Sequence, residues 1–324
     1  VNAVLRRLCR EKEALPAIPD RDEARYLSIR YSHPKWLVKR LLVLLGREGA
    51  EAFLADSNNQ PPAAAQVNTC RCSAEDAARA LEEEGVRVER HLWLPDCLLL
   101  EGTGDLERLR AFRNGMIYIQ DPAARLTALA AALQPGNRVL DVCAAPGGKS
   151  FAAAVAMGDR GEIVSCDLHE NKLKRIQEGA ARLGLCSIRA EAADGRVFRE
   201  EWRDAFDVVL VDAPCSGLGI LRKKPDIRRK KADDLFPLPV VQSAILENAA
   251  RYVRPGGALL YSTCTILPEE NEEVTEAFLG THPAFSRETF TLPGPIGRVE
   301  GQTTLWPHLH GTDGFYICRM MRRV

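Results

Sequence analysis

Two cysteines follow short apolar runs with the character of buried strands. The run Phe206 to Val211 leads into Asp212-Ala213-Pro214-Cys215-Ser216-Gly217, and the run Ala258 to Ser262 leads into Thr263-Cys264-Thr265. A thiol just past the carboxyl end of a parallel strand faces the crevice where such sheets bind ligands. As a thiolate it is a strong nucleophile, provided nearby positive charge or a helix dipole brings its pKa below the usual value of about 8.5. Carbon 5 of cytosine is too poor a nucleophile to take a methyl group unaided. Addition of a thiolate at carbon 6 turns the ring into an enamine that can. Asp212 is suited to hold such a base at its ring nitrogen and exocyclic amine. By position alone, either Cys264 or Cys215 serves as the attacking group. An isolated cysteine is more often a small buried hydrophobe, the reading we give Cys166, Cys186 and Cys318. Cys70 and Cys72 read as surface or edge-strand residues.

A second constellation precedes the thiols. Val139 to Val142 is a strand, followed by the small-residue loop Cys143-Ala144-Ala145-Pro146-Gly147-Gly148-Lys149 and a helix start. Small residues let a ligand approach the backbone closely. A phosphate-wrapping loop requires Gly where Cys143 stands, and Pro146 removes an N–H from any anion cradle, which disfavours a P-loop nucleotidase. Asp167 closes the second strand, Asp194 follows the third and Asp212 ends the fourth. Singly each is an ordinary turn or cap residue. Together they surround one nucleoside, and a carboxylate-rich nucleoside site without a phosphate loop fits the positively charged cofactor S-adenosylmethionine.

The elements that must position these groups alternate. Strands are expected at Arg138–Val142, Ile163–Cys166, Ser187–Ala190, Phe206–Val211 and Ala258–Ser262, with helices from Lys149, over Glu170–Leu183, near Val240–Val253 and from Glu269. A last strand over Gly314–Met321 closes the sheet in antiparallel sense. Such alternation predicts an α/β fold with a mainly parallel sheet covered on both faces. Ahead of it, residues 60–115 read as a small α+β unit. Its parts are a strand near Ala65–Asn68, a helix Ser73–Glu84 opened by Ser73 and Asp76, and strands near Arg87–His91 and Cys97–Leu100. Residues 21–55 carry two helical stretches. Val1, Val4, Leu5 and Leu8 form a helical stripe that Pro16, Pro19 and Asp20 interrupt, read as the last helix of something larger.

The chain has 324 residues, 46% hydrophobic and 27% charged, with Lys plus Arg equal to Asp plus Glu at 44 each. That excludes disorder and a strong overall field, so any nucleic-acid contact uses local patches. Ten cysteines without a CxxC pair fit neither a disulfide framework nor a zinc ribbon, and no signal or membrane-length segment is evident. We expect a cytoplasmic monomer without metal. Residues 222–231 hold seven Lys or Arg against Asp226 alone, a patch suited to phosphate beside Cys215 through Arg222, Lys223, Lys224, Arg228 and Arg229. Pro268, Glu269, Glu270, Glu272 and Glu273 read as a helix first turn.

With these residues in view, the chain resembles the NOL1/NOP2/Sun family of RNA 5-methylcytosine methyltransferases. CAAPGGK (143–149), DAPCSG (212–217), RKKPDI (222–227) and STCTILPEENE (262–272) look like its signature motifs. VNAVLRRL (1–8), RYSHPKWLVKRLL (30–42), NNQPP (58–62) and YIQDPAARL (118–126) look like its bacterial RsmB/Sun-type 16S rRNA group. The resemblance implies a Rossmann-like class I methyltransferase domain over 116–324 and a linker plus RRM-like RNA-binding domain over 21–115. It also implies that 1–20 is the remnant of a NusB-like helical domain and its linker. It implies that Cys264 forms the covalent adduct on an unpaired or flipped cytosine, that Cys215 assists product release, and that residues 143–149, Asp167, Asp194 and Asp212 hold S-adenosylmethionine. Two departures stand out. Gln66 replaces a frequent Arg, weakening an expected RNA contact, and Leu235-Phe236-Pro237-Leu238-Pro239 is an unusually apolar lid segment. A non-catalytic RNA-binding factor on the same fold is the competing reading; intact thiols argue against it.

Overall fold

A computed structural model describes residues 1–11 and 17–324, so Pro16 lies outside the described residues. Helix α1 (Asn2–Arg10) buries no side chain. Helix α2 (Glu23–Tyr31) is capped by the Asp22 carboxylate, which accepts the Arg25 N–H at 3.0 Å. Helix α3 (Lys35–Asp56) is interrupted at Gly46, whose φ of 66° breaks the helical run. The stripe Leu37, Val38 and Leu41, continued by Phe53 and Leu54, is fully buried. Its partners are Leu27 of α2 together with Leu218, Leu221, Leu235, Ile266 and Leu267. Four of those five lie in the segments just after Cys215 and Cys264, so this helix pair braces the thiol loops from below.

The small unit runs β1 (Ala63–Val67), α4 (Ala74–Glu82), β2 (Arg87–Arg90), β3 (Cys97–Glu101), α5 (Arg110–Arg113), β4 (Ile117–Ile119), with sheet order β2-β3-β1-β4. This is the ferredoxin-like βαββαβ topology. Ser73 caps α4, its hydroxyl accepting the Asp76 N–H at 3.1 Å and donating to the Asp76 carboxylate at 2.6 Å. The expected edge at residue 115 falls short: β4 lies beyond it and pairs with β1, Val67 opposite Ile117. Three residues are too few to show strand periodicity. Asn68 joins the two sheets' units, donating to the carbonyls of Gly115 (3.0 Å) and Leu183 (2.8 Å).

The larger unit comprises α6 (Pro122–Ala130), β5 (Arg138–Asp141), α7 (Gly148–Ala156), β6 (Glu162–Asp167), α8 (Glu170–Leu183), β7 (Ile188–Ala192), β8 (Phe206–Asp212), α9 (Leu238–Ala250), β9 (Val253–Thr263) and α10 (Glu272–Thr281). It ends with β10 (Phe285–Arg287), the hairpin β11 (Phe290–Leu292) and β12 (Gly297–Val299), β13 (Gln302–Leu305), α11 (Pro307–His310) and β14 (Phe315–Arg322). The sheet order is β10-β14-β9-β8-β5-β6-β7, with β13 also on β14. Strands β5 to β9 are mutually parallel and β14 runs antiparallel to β9. This is the expected Rossmann-like arrangement, with sequence order reversing between β5 and β8. Alternate strand residues fill opposite faces: Val139, Ile163, Val208 and Leu260 on one, Leu140, Val164, Val209 and Leu259 on the other.

Candidate active site

Because β8 and β9 are neighbours with Asp212 opposite Ser262, the residues that follow them emerge side by side. The Cys215 and Cys264 sulfurs stand 3.3 Å apart, and either can donate to the other. That shared proton holds the Cys264 thiol below its ordinary range, with Lys149 adding positive charge against burial and Asp212. Cys215 is pushed well up by the same bond, by burial, and by the negative charges of Cys264, Glu270 and Asp212. The shared proton therefore leans toward Cys215, with the cation on the Cys264 side. Asp212 is itself fixed: Lys149 Nζ lies 2.6 Å from Oδ2, and the Ser262 hydroxyl donates to Oδ1 at 3.1 Å. The ammonium also sits 4.7 Å from the Phe315 ring centroid. Lys149, grouped by sequence with the cofactor loop, thus reaches the thiol side of the crevice.

The loop from Cys143 to Lys149 leaves β5 at the topological switch point. The Ala144 N–H donates to the Cys166 carbonyl at 2.7 Å, and Gly147 turns back onto the Ala144 carbonyl at 2.7 Å with φ of 111°. A Cβ at Gly147 would stand 2.5 Å from the Phe151 ring. The Ala145–Pro146 peptide is cis. Behind the loop, buried Asp141 accepts the Ser150 hydroxyl at 2.7 Å while its other oxygen has no hydrogen-bond partner among the described residues, and burial lifts its carboxyl to about 7. Cys143 is raised by burial and is no candidate nucleophile. Asp167 accepts the His169 N–H at 3.0 Å, with Lys172 at 3.5 Å. Asp194 is paired with Arg196 at 2.7 Å, which lowers its pKa through that bond. Small backbone, an orphaned buried carboxylate oxygen and acids at successive strand ends fit a compact, positively charged nucleoside better than a polyphosphate.

Several expectations change. Arg222 is not a solvent-facing phosphate contact: its side chain is only 6% exposed, between Asp56 (3.3 Å) and Asp313 (3.5 Å). Buried Asp313 and half-buried Asp56 hold it. Lys223 is likewise held by Asp121 and Asp313. Arg228 turns inward to the Ser57 carbonyl at 2.6 Å. Lys224 and Arg229 remain exposed. Gln66 is 1% exposed and donates to the Gln120 carbonyl at 3.0 Å and the Cys97 sulfur at 3.3 Å, so it is buried on the face of the small sheet that packs against the larger unit rather than on an RNA-facing surface. Cys186 is exposed, not buried, because it follows the Gly184 cap on the connection to β7. The Leu235 to Pro239 segment is no open lid: Leu235 and Leu238 join the cluster under the thiol loops, while Phe236 and Pro237 project outward.

The acidic turn holds the residue that charge pattern concealed. Glu272 begins α10, but Glu270 is buried against both thiol loops and Glu269 pairs with Arg40. A run of carboxylates after Pro268 looks like a helix start, and nothing local marks which one turns inward. Asp141 is concealed for the same kind of reason, since an acid closing a strand looks like a turn residue. Among the described residues no cluster with metal-ligand character occurs, and no helix is long and apolar enough to cross a membrane.

Residues 128–321 match the family described as 16S rRNA methyltransferase RsmB/F, and residues 33–107 match its ferredoxin-like domain, described as Methyltr_RsmF/B-like. The protein named "Probable ribosomal RNA small subunit methyltransferase B" from Bacillus subtilis is 39% identical, covering 100% of this chain and 73% of its own. Ribosomal RNA small subunit methyltransferase B of Klebsiella pneumoniae is 35% identical over 100% of this chain and 72% of its own. The solved structure of PH0851 superposes with a TM-score of 0.86 at 34% identity, covering 94% of this chain and 69% of that one.

Proposed function

The chain belongs to the RsmB/F family of 16S rRNA methyltransferases, and on that premise we propose that it methylates carbon 5 of a cytosine in 16S rRNA through a covalent adduct on Cys264. The observation that carries this reading is the pair of sulfurs 3.3 Å apart beside the Lys149–Asp212 pair. The loop 143–149, Asp167 and Asp194 would hold S-adenosylmethionine, which supplies an electrophilic methyl group when bound. Asp212 orients the base, whose target must be unstacked for a thiol to reach carbon 6. The Cys264 thiolate adds to carbon 6, forming an S–C bond and moving electron density to carbon 5, which takes the methyl group. With Cys264 neutralised in that bond, Cys215 no longer faces an anionic sulfur and can release its own proton to solvent. Its thiolate then removes the carbon 5 proton, the ring double bond re-forms, and Cys264 departs as the thiolate.

Unmethylated 16S rRNA and radiolabelled cofactor test this directly. Cys264→Ala is expected to abolish transfer, and transfer that survives it overturns the adduct. Cys215→Ala is expected to accumulate a protein–RNA species stable to denaturant; its absence removes Cys215 from the release step.

A further inference from the structure

Between the two thiol loops lies a carboxylate that the reaction scheme does not use. Glu270 is 1% exposed, and among the described residues no cationic side chain pairs with it. Its Oε2 accepts the Ser216 N–H at 2.8 Å and the Gln242 side-chain amide at 2.9 Å. Its Oε1 accepts the Thr265 hydroxyl at 3.3 Å. Ser216 directly follows Cys215 and Thr265 directly follows Cys264, and their hydroxyls meet at 2.6 Å. The backbone around Glu270 is anchored in turn. Its carbonyl accepts the Tyr261 hydroxyl at 2.6 Å, and the Asn271 amide donates to the Thr265 carbonyl at 3.2 Å.

We propose that Glu270 is the positioning residue that fixes the separation of Cys215 and Cys264, one buried carboxylate holding both sulfur-bearing loops. The inference rests on the proposed reaction. A buried anion without a counter-ion is tolerable only where its donors stay fixed, so the charge itself tethers the loops. The effect falls on release more than on attack. Attack at carbon 6 brings only Cys264 to the base, with Cys215 helping through the shared proton, whereas release needs Cys215 placed at carbon 5 while Cys264 is bonded to the adjacent atom. The charged and titratable groups facing the sulfurs are Lys149 from α7, Asp212 from β8, Asp313 ahead of β14 and Glu270 itself. Glu270 lies on the Cys215 side, where its charge favours the protonated thiol.

The test uses the whole chain with an unmethylated 16S rRNA transcript and radiolabelled S-adenosylmethionine. Glu270→Gln is expected to slow turnover about tenfold or more with KM for RNA within about twofold, and to accumulate a denaturant-resistant protein–RNA adduct that the unaltered protein does not. Thr265→Val, which removes one arm of the tether, is expected to do the same to a smaller degree. Folded Glu270→Gln that turns over like the unaltered protein overturns the proposal. So does slowed turnover without adduct at an unchanged thermal midpoint. If Glu270→Gln does not fold, Thr265→Val decides: adduct supports the tether and its absence overturns it. Absence of adduct from Cys215→Ala strikes the proposed reaction instead, so the two failures are distinguishable.

Discussion

Asp141 shows how one buried group can write a pH dependence into the whole fold. Its carboxyl is raised to about 7, chiefly by burial. Below about pH 4 it is protonated folded and unfolded alike. Between there and about 7 the folded chain keeps a proton that the unfolded chain has released, so stability falls as pH rises and levels off above that window. The steepest slope is about 1.4 kcal/mol per pH unit for one such group. Asp141→Asn keeps an acceptor for Ser150 and should flatten this slope, which urea unfolding at pH 5 and pH 8 would measure; an unchanged slope contradicts the assignment. At this scale the sequence was informative wherever a residue type was unusual for its place. Cys215 and Cys264 after apolar runs were legible. Glu270, one acid among several, was not, because its identity is set by a neighbouring loop fifty residues away in the chain.

Among elements, the close contact of two loops deserves a quantitative test. Gly219 N–H donates to the Cys264 carbonyl at 2.9 Å, and Gly314 N–H donates to the Gly219 carbonyl at 2.8 Å. A Cβ on Gly219 would fall 1.9 Å from the Gly314 carbonyl oxygen. No side-chain rotation relieves a clash with backbone. Gly219→Ala should therefore cost about 1–3 kcal/mol and displace the loop that carries Cys215. Calorimetric unfolding checks the first part and the rate of methyl transfer the second; a variant that is equally stable and active refutes both. The parallel strands and α8 were readable from apolar runs and helical spacing. The hairpin β11–β12 and β13 were not, since strands of three or four residues carry too little alternation to separate from loop.

For the molecule as a whole, the balanced composition concealed where the free positive charge lies. Of the five basic residues expected to meet RNA, Arg222, Lys223 and Arg228 are engaged internally. Lys224 makes no ion pair among the described residues, and Arg229 is exposed with only a 3.9 Å contact to the equally exposed Asp226. Each phosphate contact they make should contribute about 1 to the slope of log affinity against log salt. Lys224→Ala with Arg229→Ala is expected to lower that slope by about 2 in filter binding without altering the unfolding midpoint. Arg222→Ala is expected to do the reverse, lowering the midpoint because it strands Asp56 and leaves Asp313 with Lys223 alone. A shallower salt slope for Arg222→Ala at unchanged stability would contradict this division.

The apolar seat formed by α2 and α3 carries a consequence for how the protein can be divided. Leu218 and Leu221 after one thiol, and Ile266 and Leu267 after the other, rest on Leu37, Leu41, Phe53 and Leu54. A fragment cut at the start of the larger unit would expose that seat and lose the floor under both sulfurs. The cooperative unit that performs the chemistry is thus discontinuous in sequence, interrupted by the ferredoxin-like unit as an insertion. Amides of 27–54, 216–221 and 264–267 should exchange with deuterium as one block, whatever the rate at which the inserted unit opens.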